Sequence, residues 1–217
     1  MKRSNYASVI VMTIVLMVII ILMIIVHNLK SPPSLAPLES IQADAGMIKH
    51  RYYNKPFRCA VSLPDTNVWG AFFRERVDSV QVGSANVSHP LHLVRLERTE
   101  DGMQLAEVKV GVFPVEPSTK LRDFTQQRMT AEVDSLRKAG ENVAIIGDVK
   151  VVSSMSLAGA FYVLEIAAPT YELLPVWVSM FVPRDGRMFQ IMGKVKRARY
   201  EMIKDEIEFI LVNFQLL

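Results

Sequence analysis

The longest hydrophobic feature of the chain is an apolar run near its beginning. It extends from Val9 to Val26, and Thr13 is its only polar member. A run of about eighteen or more apolar residues is long enough to cross the hydrocarbon core of a bilayer. A cleavable signal peptide is the alternative, but its apolar core is shorter, about 7 to 15 residues, and ends at a small-residue cleavage site. The pattern therefore predicts an uncleaved, single-pass transmembrane anchor over residues 7–27.

Basic residues on either side of the apolar run indicate its orientation. Lys2 and Arg3 precede the run, whereas His27 and Lys30 follow it. Basic residues near a membrane span tend to stay in the cytoplasm, and the segment before this span is very short. We therefore expect residues 1–6 in the cytoplasm and the rest of the chain outside it, at the cytoplasmic (inner) membrane.

Prolines mark the stretch that follows the predicted anchor. The sequence KSPPSLAPLES biases the backbone toward an extended polyproline conformation, which makes it a spacer. A proline-motif ligand site is the alternative interpretation of the same stretch. We predict a Pro-rich linker over 28–46 and one extracytoplasmic domain over 47–217, a length that suits a single hydrophobic core.

Alternation of apolar and polar positions dominates the chain after residue 50. In MQLAEVKVGVF, the apolar residues at 106, 108, 110 and 112 share one side of the predicted strand, and Glu107 and Lys109 share the other. FRCAVSLP and LPVWVSMFVP are also strand patterns, and VKVVSSMSLAGAFYVLEIAA predicts two strands that turn near Ala158-Gly159. Asp185-Gly186 is a hairpin signal, so the last three strands are predicted to form an antiparallel meander.

Helical periodicity interrupts the strands twice. The first predicted helix follows Pro117-Ser118 and ends at Gly140, where a left-handed residue is expected after the helix. The second starts near Ala198 and repeats apolar residues with the spacing of a helix that lies on a sheet; these are Ile203, Ile207, Ile210, Leu211 and Phe214. The predicted fold class is α+β, an antiparallel sheet flanked by helices.

The order of these elements resembles the PsbP and DcrB-like extracytoplasmic domains. In that family the fold begins with a strand that ends in a proline and is followed closely by a tryptophan. Pro64 and Trp69 are the matching residues here. A G-R-x-[YF]-x-[IL] strand then leads to a last helix and a closing phenylalanine, and the matching positions are Gly186, Arg187, Phe189, Ile191 and Phe214. The resemblance covers about residues 50–217, although 70–100 carries more charge than the family pattern. It implies an α-β-α sandwich that acts as an assembly or accessory protein without a catalytic signature.

Charge and cysteine content narrow the classes of function. The net charge of +3 arises from 25 basic and 22 acidic residues, which is too small an excess to indicate a nucleic-acid partner. Cys59 is the only cysteine, so an intrachain disulfide is excluded. No phosphate-binding loop, nucleophile elbow or paired-carboxylate motif is present, and no cofactor is expected.

Two weak patterns would suit a metal or a nucleophile. His89 and His92 have a spacing that suits metal ligands, and Asp78, Glu97 or Glu100 would add an oxygen ligand. Zinc takes three or four protein ligands, so two surface histidines around a proline is the simpler interpretation. Cys59 with a histidine is the other pattern, but a half-buried thiol on a strand is its ordinary explanation, and His50 is isolated in the sequence.

Two stretches are candidates for binding a partner. Lys194, Lys196, Arg197 and Arg199 crowd the predicted start of the last helix, where the helix dipole disfavours cations unless an anion offsets them. A solvated charge run is the alternative. Trp69, Phe72 and Phe73 are candidates for an exposed aromatic patch, whereas the family resemblance makes Trp69 a core residue.

These patterns leave two hypotheses for the function. The first is a noncatalytic accessory, assembly or docking protein of the cell envelope, bound to the membrane by its own helix and to another envelope protein or an anionic surface. The second is a membrane-tethered hydrolase or metal-binding protein whose site the sequence does not reveal. The absence of catalytic motifs from the sequence favours the first hypothesis.

Overall fold

The computed structural model describes residues 43–73, 90–153, 158–166 and 176–217. The predicted anchor, the linker up to residue 42, His89 and Asp78 lie outside these ranges. Within them, neither helix combines the length and the apolar character that crossing a bilayer requires.

The described residues form mainly antiparallel β-structure with two α-helices. The strands are β1 (Ala45–Ile48), β2 (Arg51–Asn54), β3 (Cys59–Ser62), β4 (Trp69–Phe73), β5 (Leu91–Glu100), β6 (Met103–Pro114), β7 (Val143–Ile145), β8 (Lys150–Ser153), β9 (Ala158–Ile166), β10 (Val176–Arg184), β11 (Arg187–Val195) and β12 (Gln215–Leu216). The helices are α1 (Leu121–Lys138) and α2 (Tyr200–Val212), and a 3-10 helix, Arg197–Arg199, directly precedes α2.

A large antiparallel sheet organises the domain. Its strand order is β4-β5-β6-β11-β10-β9-β7, and β8 pairs with β9 beside β7. The predicted meander is confirmed as β9-β10-β11, and Asp185 and Gly186 form the β10–β11 turn with φ of 49° and 69°. Glycine suits such a position because it adopts positive φ without a steric cost.

The two strands predicted around Ala158-Gly159 are confirmed as the antiparallel pair β8 and β9, but the turn is not at these two residues. Both residues lie within β9, where Ala158 pairs with Ser153 and Gly159 with Val152. A side chain at Gly159 would place its Cβ 3.1 Å from the carbonyl oxygen of Phe181, so this glycine permits a close approach of two strands. Glycine marks turns and close backbone approaches alike, and the sequence does not distinguish them.

The two faces of the large sheet bury different cores. Along β6, Val108, Val110 and Val112 point to the face that α2 covers, and Glu107 and Lys109 point to the face that α1 partly covers, as the alternation predicts. The predicted stripe on the last helix is confirmed, since Ile203, Ile207, Ile210, Leu211 and Phe214 are all buried.

Close contact with β11 fixes the position of α2. A Cβ added at Gly193 would lie 3.0 Å from the Cγ2 atom of Ile207, so the glycine lets the helix approach the sheet. The Trp69 Nε1 group and the Arg98 Nε group both donate to the Glu206 Oε2 atom, at 2.6 and 2.9 Å, and tie the helix to β4 and β5.

A second, four-stranded sheet of order β1-β2-β3-β12 contributes to the same core as α2. The sequence predicted one sheet, and this part of the architecture is therefore a correction. Cys59 in β3 pairs with Leu216, near the end of the chain, and Tyr52 donates to the carbonyl oxygen of Leu93. β1 begins at Ala45, within the last residues of the predicted linker.

Helix α1 covers part of the opposite face of the large sheet. Its buried residues Phe124, Met129 and Val133 pack with Phe181 and other residues of β9, β10 and β7. The helix ends as predicted, because Gly140 follows it with φ of 87° and its N–H bonds to a carbonyl of the last turn. The large sheet thus has helices on both faces, and α1 leaves the β4–β5 side of its face uncovered.

Candidate functional site

The structure divides the predicted aromatic patch. Trp69 is only 2% exposed and belongs to the core on the α2 face, so its assignment to an exposed docking patch is wrong. Phe73 is half-buried, and its ring centroid lies 5.3 Å from that of Tyr52. Phe72 points the other way along β4 and is 51% exposed. The two-residue period of a strand causes the division.

The predicted basic cluster is divided as well. Lys194 lies inside β11, and its side chain is on the α1 face of the sheet, opposite α2. Arg199 is exposed immediately before α2, where its Nη1 atom lies 3.5 Å from the sulfur of Met202. Lys196 is half-buried between β11 and the 3-10 helix that Arg197 begins, and the side chain of Arg197 is outside the described part of the structure.

The metal hypothesis gains no support from the described residues. Within them, no group of three or more histidine, cysteine, aspartate or glutamate side chains is arranged to hold a metal ion. His92 is on the exposed α1 face of β5, and burial together with nearby Lys109 lowers its pKa. Glu97 and Glu100 form ion pairs with arginine side chains.

Cys59 is not placed to act as a nucleophile with His50. Its thiol is buried, and burial raises its pKa to about 12, so the thiol stays protonated at neutral pH. The carbonyl oxygen of His50 accepts a hydrogen bond from the N–H of Leu63, four residues along the chain from Cys59. At about 3.3 Å per residue, this separation is roughly 13 Å.

Five neighbouring strands bring a set of charged and aromatic residues together on the uncovered part of the α1 face. The strand register aligns Phe72, Arg95, Lys109 and Met192 across β4, β5, β6 and β11. It aligns a second row from β5 to β10, which consists of Glu97, Glu107, Lys194 and Trp177. We call these eight residues the open sheet face.

Ion pairs within the open sheet face place its cations above its carboxylates. Arg95 Nε lies 3.0 Å from Glu97 Oε1, and the side chains are 47% and 18% exposed respectively. Lys109 Nζ lies 2.8 Å from Glu107 Oε1, with exposures of 34% and 11%. The Arg95 guanidinium also lies 5.0 Å from the centre of the Phe72 ring. The surface that a partner meets is therefore more basic than its formal charge indicates.

Lys194 differs from the other two cations of the open sheet face. Its Nζ atom lies 3.6 Å from the centre of the Trp177 ring, a cation–π contact. None of the ion pairs among the described residues includes it. Burial and the neighbouring Lys109 lower the pKa of Lys194. Lys194 thus carries a partly desolvated charge that the described carboxylates do not fully offset.

A buried polar seam separates the open sheet face from the core beneath α1. Gln190 Nε2 donates to Glu132 Oε1 at 3.1 Å, and Arg128 Nη2 lies 3.9 Å from the same atom. Burial raises the pKa of Glu132 and also that of Tyr162 beneath it. The Tyr162 hydroxyl and the Glu132 carboxyl perturb each other's pKa, although Tyr162 Oη and Glu132 Oε2 lack a hydrogen bond of normal geometry. The seam ties α1 to β11 through Gln190.

Sequence reasoning missed Arg95, Lys109 and Trp177. The sequence did carry a signal for them: in each of these strands, apolar residues alternate with charged or aromatic ones, and these three residues are among the latter. The sequence alone did not show that five neighbouring strands align these positions.

The fold resembles that of a protein of known structure. The solution structure of cyanobacterial PsbP (CyanoP) from Synechocystis sp. PCC 6803 matches with a TM-score of 0.57, over 88% of this chain and 99% of that chain. The chain has a PsbP-like fold. Sequence identity to that PsbP is 10%, so the similarity is one of fold alone. No family model matches the sequence, and no curated protein matches it.

Proposed function

We propose that this PsbP-like protein is a noncatalytic accessory or assembly protein of the cell envelope that works by docking another envelope component. The observation that carries the proposal is the open sheet face. It presents Arg95, Lys109 and Phe72 to solvent on a rigid antiparallel sheet, with its carboxylates recessed. Charged and aromatic groups on a rigid surface suit recognition of a partner of opposite charge.

The proposal includes attachment to the cytoplasmic membrane, with the domain outside the cytoplasm. The support is the apolar run from Val9 to Val26 and the basic residues that precede it. Attachment would keep the domain near the bilayer and raise its effective concentration toward other membrane-bound components. No described observation favours the alternative of a hydrolase or metal-binding protein.

Fractionation of membranes that contain the full-length chain tests the attachment. The protein should stay in the membrane pellet through high salt and alkaline washes, because a spanning helix is held by apolar burial and not by charge. Protease added from outside should digest the domain and leave a short protected fragment. A mature soluble species that begins near Ser31 would contradict the anchor.

Chemical crosslinking in the same intact membranes tests docking. The full-length chain should form a reproducible adduct with another envelope protein. A chain that forms no adduct, and whose purified form carries stoichiometric zinc that is lost on His92→Ala, would favour the alternative function.

A further inference from the structure

The open sheet face has a spacing of positive charge that matches an extended peptide. Arg95 and Lys109 are direct cross-strand neighbours, and Lys194 lies diagonally from Lys109, two positions beyond its partner Met192. Neighbouring strands are about 4.8 Å apart, and diagonal neighbours are about 7 to 8 Å apart. In an extended chain, side chains on the same side recur about every 6.6 Å. Carboxylates at alternate positions of a peptide would therefore reach these cations in succession.

Lys194 lies on β11 beside the part of the sheet that α1 covers. It shares a strand and a face with Gln190, four residues earlier, whose side chain bonds to Glu132 of that helix. Trp177 lies beneath the Lys194 ammonium and packs against the core under α1. Lys194 is therefore a half-buried cation over an aromatic ring, at the border between the open sheet face and the core under α1. A narrow chain can reach a half-buried ammonium group more easily than a flat surface can.

We propose that the open sheet face binds an extended, acidic segment of a partner protein, with a carboxylate at Lys194 and apolar side chains against Phe72 and Trp177. This inference rests on the proposed docking function and adds its surface and the chemistry of its partner. An arriving carboxylate would supply the counter-charge that Lys194 lacks among the described ion pairs. Charge complementarity of this kind sets the orientation and the association rate of a complex.

The chemistry of the open sheet face favours a peptide over an anionic lipid surface. Lys194 is half-buried against the Trp177 ring, whereas Arg95 is 47% exposed, so a planar layer of phosphates would meet Arg95 more readily than Lys194. A peptide can place its acidic groups at the cations and its apolar groups between them.

Binding of a synthetic peptide to the full-length chain in detergent micelles tests the proposal. The probe is a short fluorescent peptide of alternating glutamate and leucine, and its control alternates glutamine and leucine. The glutamate peptide should bind at low salt, weaken as salt is raised, and change the fluorescence of Trp177. The glutamine peptide should bind much more weakly. Equal binding of the two peptides would overturn the proposal.

Variants of single cations locate the binding surface. Lys194→Gln and Arg95→Gln should each weaken binding of the glutamate peptide about tenfold, the effect of losing one close charge pair. Lys194→Arg keeps the charge and the contact with the aromatic ring, and should keep most of the affinity. Arg199→Gln is the matched control, because Arg199 is an exposed cation before α2, and it should bind like the unchanged protein. A larger loss in Arg199→Gln than in Lys194→Gln would place binding at the helix start and overturn the inference.

Two further measurements distinguish the alternative outcomes. Short-chain phosphatidylglycerol should displace the glutamate peptide only weakly. If it displaces the peptide at a lower concentration than the unlabelled peptide does, the surface binds lipid headgroups and the inference is overturned.

Thermal unfolding of Lys194→Gln should match that of the unchanged protein. A loss of peptide binding in this variant then results from the changed surface and not from unfolding. If membrane crosslinks form while no cation variant affects the peptide, the inference fails and the docking function stands; absence of crosslinks removes the docking function itself.

Discussion

The two faces of the large sheet are built from the same strands but differ in how much apolar surface they bury. On the α2 face, a continuous apolar layer meets a helix so closely that a Cβ at Gly193 would lie 3.0 Å from Ile207. On the α1 face, apolar packing is confined to the part beneath the helix, and charged residues such as Lys109 and Lys194 occupy the rest. Strand alternation lets one set of residues stabilise the domain while its neighbours remain available for binding.

The largest expected effect is the loss of stability when a charged residue replaces a buried apolar residue between α2 and the sheet. Ile207 is 3% exposed on the sheet-facing side of α2, so Ile207→Asp should lower the free energy of unfolding by about 4 kcal/mol. Met202→Asp is the control on the outer side of the same helix, where the residue is 61% exposed, and it should change stability by less than about 0.5 kcal/mol. Urea denaturation measures both, and similar stabilities would mean that α2 is not packed as described.

Glu208 introduces a pH dependence on the α2 side. Burial, with the nearby Asp205, raises the pKa of its carboxyl to about 7. The native state therefore binds this proton more tightly than the unfolded state, and stability falls as the pH rises from about 4.5 to about 7. The full shift would correspond to about 3 kcal/mol, and partial solvent access reduces it to about 2.

The variant Glu208→Gln should remove that dependence. It should match the unchanged protein near pH 4.5 and exceed its stability by about 2 kcal/mol at pH 8, measured by urea denaturation across the pH range. Glu116→Gln, on an exposed loop after β6, is the matched control and should leave the profile as it is. A parallel pH profile for Glu208→Gln and the unchanged protein would show that the carboxyl is solvated.

Substitutions at Trp69 and Phe72 test whether these two β4 side chains lie on opposite faces of the sheet. Trp69→Phe removes the Nε1 donor to Glu206, which keeps its bond from Arg98, and should cost about 1.5 kcal/mol. Phe72→Ala removes an exposed ring and one cation–π contact, and should cost about 0.5 kcal/mol. A Phe72→Ala variant less stable than Trp69→Phe in thermal unfolding would reverse the assignment of the two sides.

The smallest expected effect on stability is at the open sheet face itself. Lys194→Gln removes a partly desolvated charge, which should stabilise the protein, and a cation–π contact, whose loss should destabilise it. Because the two effects oppose each other, the unfolding free energy should change by no more than about 0.5 kcal/mol. Differential scanning calorimetry of Lys194→Gln beside Lys194→Arg measures it. A loss of more than about 2 kcal/mol in Lys194→Gln alone would make Lys194 a structural residue.

Local patterns predicted the parts of the fold that depend on neighbouring residues. The hairpin at Asp185-Gly186, the helix end at Gly140 and the stripe through Ile207 each follow from a few adjacent positions. The four-stranded sheet was missed because it pairs Cys59 with Leu216 across nearly the whole domain, and β12 is too short to carry a pattern. Sequence alternation does not reveal long-range pairing.

The candidate site was harder to predict for a related reason. Lys194 and Arg199 are close in sequence, but β11 continues to Val195 and therefore includes Lys194. The face on which the Lys194 side chain lies is set by strand alternation and not by the helix that follows. The residues that surround Lys194 come from other strands through cross-strand register. Alternation along β4 also explains why Trp69 is buried and Phe72 is exposed. The sequence alone did not show which set of alternating residues faces the core.

Site-specific photocrosslinking in intact membranes tests the docking surface most directly. A photoreactive phenylalanine analogue would replace Phe72 on the open sheet face in one full-length chain, and Met202 on the outer side of α2 in another. We predict a discrete partner adduct from position 72 that is lost when Lys194→Gln is added, and no adduct from position 202. An adduct from position 202 alone, or one from position 72 that persists unchanged with Lys194→Gln, would contradict a docking role for the open sheet face.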